Sequence, residues 1–328
     1  DISIQKQNNI SVSTFNCSNN DLFSLMQKSI EDSMTFINYN KLVSSNTLLI
    51  VSTTKGQINL INSSSRKVYL NKLKNSLKNK FPFIKKSIII STACVSGLQS
   101  IIVANDFIRN KYYDNVIVCG GDLVSQFVVE GFKSFFALSD KPCMPFDKNR
   151  NGISLGEAVS TIIISNDLNL YQQQPFKILG GCSTNDANHI SAPHIDAIGL
   201  IQSITRTLQI SKIKVEDIDF INTHGTATVY NDMMELKALN QLKLYNTPFN
   251  SFKGYFGHTL GAAGIIETAL TLQTMRNNML LKSMGFEKND FDKELSIITK
   301  NKKLIINTAL KLSSGFGGFN GALIIQDI

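Results

Sequence analysis

No apolar run in the chain reaches 18 residues, so the sequence offers no candidate membrane-spanning helix. Its apolar stretches, such as LLIV at 48–51 and III at 88–90, have the length of buried strands. No secretory signal pattern is present, and the sequence opens at Asp1 rather than Met, so it does not decide targeting. No C-x-x-C pair occurs. The five cysteines (Cys17, Cys94, Cys119, Cys143 and Cys182) are odd in number and widely spaced. That excludes a zinc ribbon or a disulfide scaffold and fits a reducing, cytoplasmic setting. Charged residues are 18% of the chain against 43% hydrophobic, which excludes a disordered polyelectrolyte. With 328 residues there is ample chain for a large core in one domain or two fused halves.

Acid is absent from RKVYLNKLKNSLKNKFPFIKK (66–86), which holds eight basic residues and supplies much of the net charge of +8. Tyr69, Leu73, Leu77 and Phe81 recur every fourth position and predict a helix over 66–81 with the lysines off the apolar stripe. Such a face is either simply solvated or a landing patch for an acidic partner. No motif for nucleic acid accompanies it.

Short apolar strands alternate with amphipathic helices, which predicts an α/β fold. Strands are expected at 47–52, 87–92, 115–122 and 157–165, with TTKG after the first. A helix carrying Leu98, Ile101, Ile102 and Ile108 follows the second strand, another is expected at 125–138, and 140–152 reads as loop. A second half begins near 176, dividing the chain into 1–175 and 176–328. It holds a helix with Ile198, Ile201, Ile204 and Leu208, a strand running into a polar turn at 219–228, and a helix over 257–275. Two apolar segments around a glycine-rich loop fill 304–326. IIISTACVSG and DFINTHGTAT share a plan of apolar run, threonine, reactive residue and small residues. A duplicated unit would place Cys94 and His224 at equivalent strand ends.

Cys94 follows a strand and precedes a helix, the setting of a nucleophile elbow. A helix N-terminus favours thiolate, and Ala93 and Gly97 are expected to leave room for a substrate. The other cysteines lack that setting. His224 ends a strand in THGTAT, and His258 lies among Gly257, Gly261, Ala262, Ala263 and Gly264, where small residues permit close approach. His189 and His194 lie in a polar loop without a strong metal spacing.

STACVSG, MPFDKNRNGISLGEA, THGTAT with Asp232 and Glu235 after it, SFKGYFGHTLGAAG and SGFGGFNGA lie along roughly residues 47–328. Together they resemble the β-ketoacyl-acyl carrier protein synthases, the condensing enzymes of the thiolase superfamily, in the Cys-His-His branch of elongating synthases. The resemblance implies a thiolase-like fold of two pseudo-repeated α/β halves in αβαβα layers. It assigns Cys94 as the nucleophile that carries the acyl chain, and His224 and His258 as the pair that holds the malonyl thioester carbonyl during decarboxylation. Lys253 is expected to pair with Glu235 and orient the histidines. Phe316 matches the gating-loop phenylalanine whose backbone N–H joins that of Cys94 in an oxyanion hole.

The implied reaction lengthens an acyl thioester by two carbons at the expense of a malonyl thioester, in fatty acid or polyketide biosynthesis, without a metal or redox cofactor. The implied partners are an acyl carrier protein, met by Arg66 and Lys67, and a second ketosynthase-like subunit in a homodimer or heterodimer. Compared with the family pattern the N-terminal half is shortened, TTKG replaces a glycine-richer loop, and Ser314 stands where phenylalanine or glycine is common. Two other readings are a non-catalytic subunit like the chain-length factors, which usually lack the cysteine, and a non-decarboxylating acyltransferase of the same fold. Thiolases need a second cysteine near the C-terminus, and none follows Cys182.

Overall fold

The computed structural model describes residues 2–7, 10–15, 21–61, 68–289, 291 and 295–328. The first half runs β1 (Ile2–Gln7), β2 (Ile10–Phe15), α1 (Leu22–Met34), α2 (Tyr39–Ser44), β3 (Thr47–Ser52), α3 (Leu70–Lys80), β4 (Lys86–Ile90), α4 (Ser96–Arg109), β5 (Asn115–Asp122), α5 (Gln126–Ser134), β6 (Leu155–Gly156) and β7 (Ala158–Ser165). The second runs β8 (Lys177–Asn185), α6 (Ile198–Ser211), β9 (Phe220–Asn222), α7 (Val229–Gln241), β10 (Phe249–Asn250), α8 (Lys253–Phe256), α9 (Ala263–Arg276), β11 (Met279–Leu280), β12 (Lys302–Lys303), β13 (Thr308–Gly315) and β14 (Phe319–Gln326).

Period-two alternation in the strands builds the layers. In the first sheet Leu48, Ile50, Val116 and Val118 face the middle of the molecule, where they meet Leu98, Ile101 and Ile265. Leu49, Val51, Ile117 and Cys119 face outward onto Leu22, Met26 and Ile30 of α1 and Leu73 and Leu77 of α3. The second sheet mirrors this. Ala309, Leu323 and Ile325 point inward, whereas Leu310, Leu312 and Ile324 meet Leu200 and Ile204 of α6 and Met234 and Leu239 of α7. Helices α4 and α9 lie between the sheets. The order is therefore helix, sheet, helix, sheet, helix.

The first sheet has the order β4-β3-β5-β7 and the second β10-β9-β13-β14-β8. In each, the first three strands are parallel and the fourth is antiparallel. Matching the orders pairs β3 with β9 and β4 with β10. This corrects the expected equivalence of Cys94 and His224. Cys94 follows β4, whose counterpart β10 leads to Lys253 and His258. His224 follows β9, whose counterpart β3 leads into TTKG. The short sequence echo matched the wrong strands, because both are apolar runs ending in threonine. Among the described residues the first sheet has four strands and the second five, with no first-half equivalent of β8.

Several boundaries differ from expectation. The basic helix begins at Leu70; Leu73, Leu77 and Phe81 are buried, whereas Tyr69 lies outside the helix and exposed. Arg66, Lys67 and Cys17 lie outside the described residues. The expected 257–275 helix is broken: Gly257 has a φ of 76°, Leu260–Ala262 form a tight turn, and α9 starts only at Ala263. His258 is thereby freed from a helix and placed in a loop.

Candidate active site

Between β4 and α4 the chain makes a tight elbow. Ala93 takes a φ of 49°, and the backbone N–H groups of Val95 and Ser96 donate to the carbonyls of Thr92 and Ala93 at 3.2 Å each. Cys94 stands one residue ahead of the helix cap, Val95. Gly97 does not make room for substrate as expected. A Cβ there would lie 2.9–3.0 Å from backbone atoms of Gly261, Gly264 and Ile265, so its space is filled by the start of α9. Cys94 is 6% exposed. Burial pushes its thiol up to about 11, with the charge of Asp122 acting the same way, against the nearby positive charges of Lys55 and Lys253 and a hydrogen bond from the Phe316 backbone N–H. The expectation of a resting thiolate is thus corrected: desolvation outweighs the helix terminus, and the group rests as a thiol.

His224 is held from three sides. Its backbone N–H donates to Glu235 Oε1 (2.7 Å), its carbonyl accepts from Lys253 Nζ (2.6 Å), and its Nδ1 lies 3.2 Å from the same ammonium. An ammonium only donates, so Nδ1 accepts and the ring proton sits on Nε2. Lys253 does not pair with Glu235, contrary to expectation. It donates to Glu267 Oε1 at 2.6 Å, and Lys311 Nζ meets Glu267 Oε2 at 2.6 Å. All three side chains are 0–1% exposed. Glu235 instead holds the THGTAT loop, accepting from the backbone N–H groups of His224 and Gly225 and from Asn231. Burial pushes its carboxyl up to about 7 despite those hydrogen bonds.

The His258 ring stands edge-on to His224, with centroids 5.1 Å apart and planes at 84°. Both of its ring nitrogens are buried, and neither has a hydrogen-bond partner among the described residues. Desolvation first, and then the charge of Lys253, hold both imidazoles well below the usual histidine range. Lys311 acts in the same direction on both, His258 on His224, and Lys55 on His258. Both rings are therefore neutral at neutral pH, each with one N–H to give. A buried polar side chain without a partner is costly.

The MPFDKNRNGISLGEA segment stitches the halves together around these rings. Phe146 N–H donates to Asp232, and Gly152 N–H to the Ala227 carbonyl. His258 N–H donates to the Ser154 carbonyl at 2.7 Å, and Gly156 N–H to the His258 carbonyl at 3.0 Å. Phe316 lies between Phe132 (5.5 Å, stacked) and Phe135 (5.2 Å, edge-on). Its flanking glycines are functional in shape: a Cβ on Gly315 would crowd Cys94 at 3.1–3.2 Å, and Gly317 has a φ of 80°. His189 is exposed and His194 half-buried, each accepting from a backbone N–H two residues on. Among the described residues no group of three His, Cys, Asp or Glu side chains could hold a metal, and no helix is long and apolar enough to cross a membrane.

Structure thus brings together Cys94, His224, His258, Lys253 and Phe316, sets Glu235 one step back, and adds Glu267 and Lys311. A signal for the last two existed. Lys311 interrupts an apolar strand (TALKLSS) and Glu267 an apolar helix face (GIIETAL), and charges so placed need partners.

The chain matches the family descriptions Beta-ketoacyl synthase, N-terminal domain, over residues 78–168 and Beta-ketoacyl synthase, C-terminal domain, over 176–287. It is 34% identical over 252 residues to the chloroplastic 3-oxoacyl-[acyl-carrier-protein] synthase II of Arabidopsis thaliana, a match covering 72% of this chain and 46% of that protein. The chain therefore spans about half the length of that relative. Among solved structures it resembles the ketosynthase ApeO in complex with its chain length factor ApeC from Xenorhabdus doucetiae (TM-score 0.83, 24% identity, 100% of this chain and 90% of that one). It also resembles a chain of the structure of a type II polyketide synthase acyl-carrier protein in complex with its ketosynthase (TM-score 0.87, 20% identity, 97% of this chain and 88% of that one). With the thiolase-like layers and both family descriptions in sequence, the chain belongs to the β-ketoacyl synthase family of the thiolase superfamily.

Proposed function

We propose that the chain catalyses decarboxylative condensation of an acyl thioester with a malonyl thioester, giving a β-ketoacyl product two carbons longer, in fatty acid or polyketide biosynthesis. The observation that carries this is the pair of neutral, buried, perpendicular imidazoles, one of them held by Lys253, whose charge also bears on the elbow cysteine Cys94. In the first step Cys94 Sγ attacks the acyl thioester, and its proton ends on the departing carrier thiol. Reaching thiolate from a thiol near 11 costs about 5 kcal/mol at pH 7, a cost spread over the attack. In the second, the C–C bond of the malonyl unit breaks, CO₂ leaves, and the electron pair moves onto the thioester oxygen. His224 Nε2–H and an N–H of His258 receive that charge. In the third, the enolate carbon attacks the Cys94 thioester, whose oxygen is received by the backbone N–H groups of Cys94 and Phe316, and Cys94 is expelled.

The partner we propose is an acidic acyl carrier protein, met by Arg66, Lys67 and the basic face of α3, where Lys72 and Lys80 are exposed. A second ketosynthase-like subunit is proposed on the β4 edge of the first sheet, where Ile88, Ile89 and Ile90 are only half-buried. Size-exclusion chromatography with and without such a subunit separates homodimer from heterodimer. Intact mass spectrometry after incubation with acyl and malonyl carrier thioesters tests the reaction. Acylation of Cys94, followed by a product two carbons longer, is the expected result; a protein that is never acylated overturns the reading.

A further inference from the structure

The TTKG loop is built as part of the site rather than as a plain connection. It leaves β3, the counterpart of β9, so the position that carries His224 in the second half is matched in the first half by the turn containing Lys55. Ligands of open α/β sheets gather at the carboxyl ends of the parallel strands, where both loops lie. Buried Asp122 pins the turn. It accepts from Thr53 Oγ1 (2.8 Å), Thr54 N (2.9 Å) and Thr54 Oγ1 (2.9 Å), and also from Gly261 N (2.8 Å), three residues after His258. On the other side Ser91 Oγ, at the start of the cysteine elbow, donates to the Thr54 carbonyl at 3.3 Å. The turn is thus tied to both the nucleophile's loop and the second histidine's loop, and the charge of Lys55 bears on both Cys94 and His258.

The lysines of the site differ in one respect. Lys253 and Lys311 share the Glu267 carboxylate. Half-buried Lys55 has no carboxylate partner among the described residues; its ammonium donates to Thr54 Oγ1 at 3.2 Å. A cation without a carboxylate partner, whose charge bears on a histidine with two ring nitrogens unpartnered among the described residues, is a place for an anion.

We propose that Lys55 receives the carboxylate of the malonyl extender, and so selects an acidic extender and orients it with its thioester oxygen toward the imidazoles. This rests on the function proposed above. The ammonium pairs with the carboxylate before the C–C bond breaks, and that charge is gone once CO₂ has formed. Lys55 therefore contributes to binding more than to the chemical step. Its neighbours Cys94 and His258 are uncharged at rest, so they do not compete for it.

The test compares wild type with Lys55→Met, Lys55→Gln and Lys55→Arg. Acylation of Cys94 by an uncharged acyl thioester is followed by intact mass, and CO₂ release is followed against malonyl thioester concentration. Loss of one charge-assisted contact should raise KM for the malonyl thioester about ten- to a hundredfold in Lys55→Met and Lys55→Gln. It should leave kcat for CO₂ release within about threefold, with Lys55→Arg close to wild type, while Cys94 acylation slows in Lys55→Met and Lys55→Gln because the thiol loses a positive charge that favours its thiolate. An unchanged KM, or a loss confined to kcat, overturns the proposal. If wild type itself neither acylates nor releases CO₂, the functional reading falls instead. Lys55 is then judged by calorimetric binding of malonyl-CoA, where equal affinity in wild type and Lys55→Met overturns it.

Discussion

Glu267→Gln removes one charge and no volume, so its effect is electrostatic. The carboxylate it replaces is 1% exposed and takes Lys253 and Lys311 at 2.6 Å each. Removing one partner of a buried ion pair costs about 3–5 kcal/mol because the other charge is left in low dielectric. Two lysines are stranded here, but each can escape by losing its proton. For Lys311, whose pKa burial already lowers from 10.5, that escape costs at most about 5 kcal/mol at pH 7. A destabilisation of about 3–5 kcal/mol, read as a fall in Tm of roughly 10 °C by circular dichroism, is expected. Activity should fall further than stability explains. With Lys253 displaced, or neutral and able to accept as well as donate, nothing fixes the His224 proton on Nε2, and CO₂ release from malonyl thioester should drop between about tenfold and a thousandfold below the melting range. A variant that melts within about 2 °C of wild type and releases CO₂ at the wild-type rate would refute the role given to Glu267 and its two lysines.

Three further outcomes follow from the geometry. Because burial pushes the Cys94 thiol up to about 11, its alkylation by iodoacetamide should rise about tenfold per pH unit from 7 to 9 without a plateau; a plateau by pH 8 means a stabilised thiolate. A Cβ on Gly264 would lie 2.1 Å from the Leu98 backbone nitrogen, so Gly264→Ala should push α9 off α4 and cost about 3 kcal/mol or more in urea unfolding, whereas a wild-type midpoint contradicts the packing. Phe316→Ala removes the contacts with Phe132 and Phe135 and should lower the unfolding free energy in urea by about 1–3 kcal/mol while changing the rate of Cys94 acylation of the folded protein; an unchanged acylation rate would sink the gating assignment.

Much of the site was legible because its parts are local. A β-branched run, a small-residue turn and a helix form an elbow from neighbouring residues alone, and small residues around His258 declare a close approach. What escaped the sequence was pairing across the fold. Lys253 and Glu235 are 18 residues apart and invite a salt bridge on paper, yet Glu235 is occupied by the backbone N–H groups of its own loop. Glu267 reaches Lys253 because the chain breaks at Gly257 and α9 turns inward, a path set by backbone conformation rather than residue type. The thiol's protonation escapes the sequence for a related reason. Proximity to a helix start can be read from sequence, but the depth of burial that outweighs it depends on both halves closing over the site. The pairing of β3 with β9, and with it the place of Lys55, appears only in the sheet order.

In the proposed reaction two uncharged imidazoles drive loss of CO₂ independently of the sulfur. Cys94→Gln, which cannot be acylated, should still convert a malonyl carrier thioester to its acetyl form with release of CO₂ and no condensed product. Adding His258→Ala should cut that release about a hundredfold or more. A folded Cys94→Gln protein that releases no CO₂, or a double variant that releases it undiminished, would contradict the account.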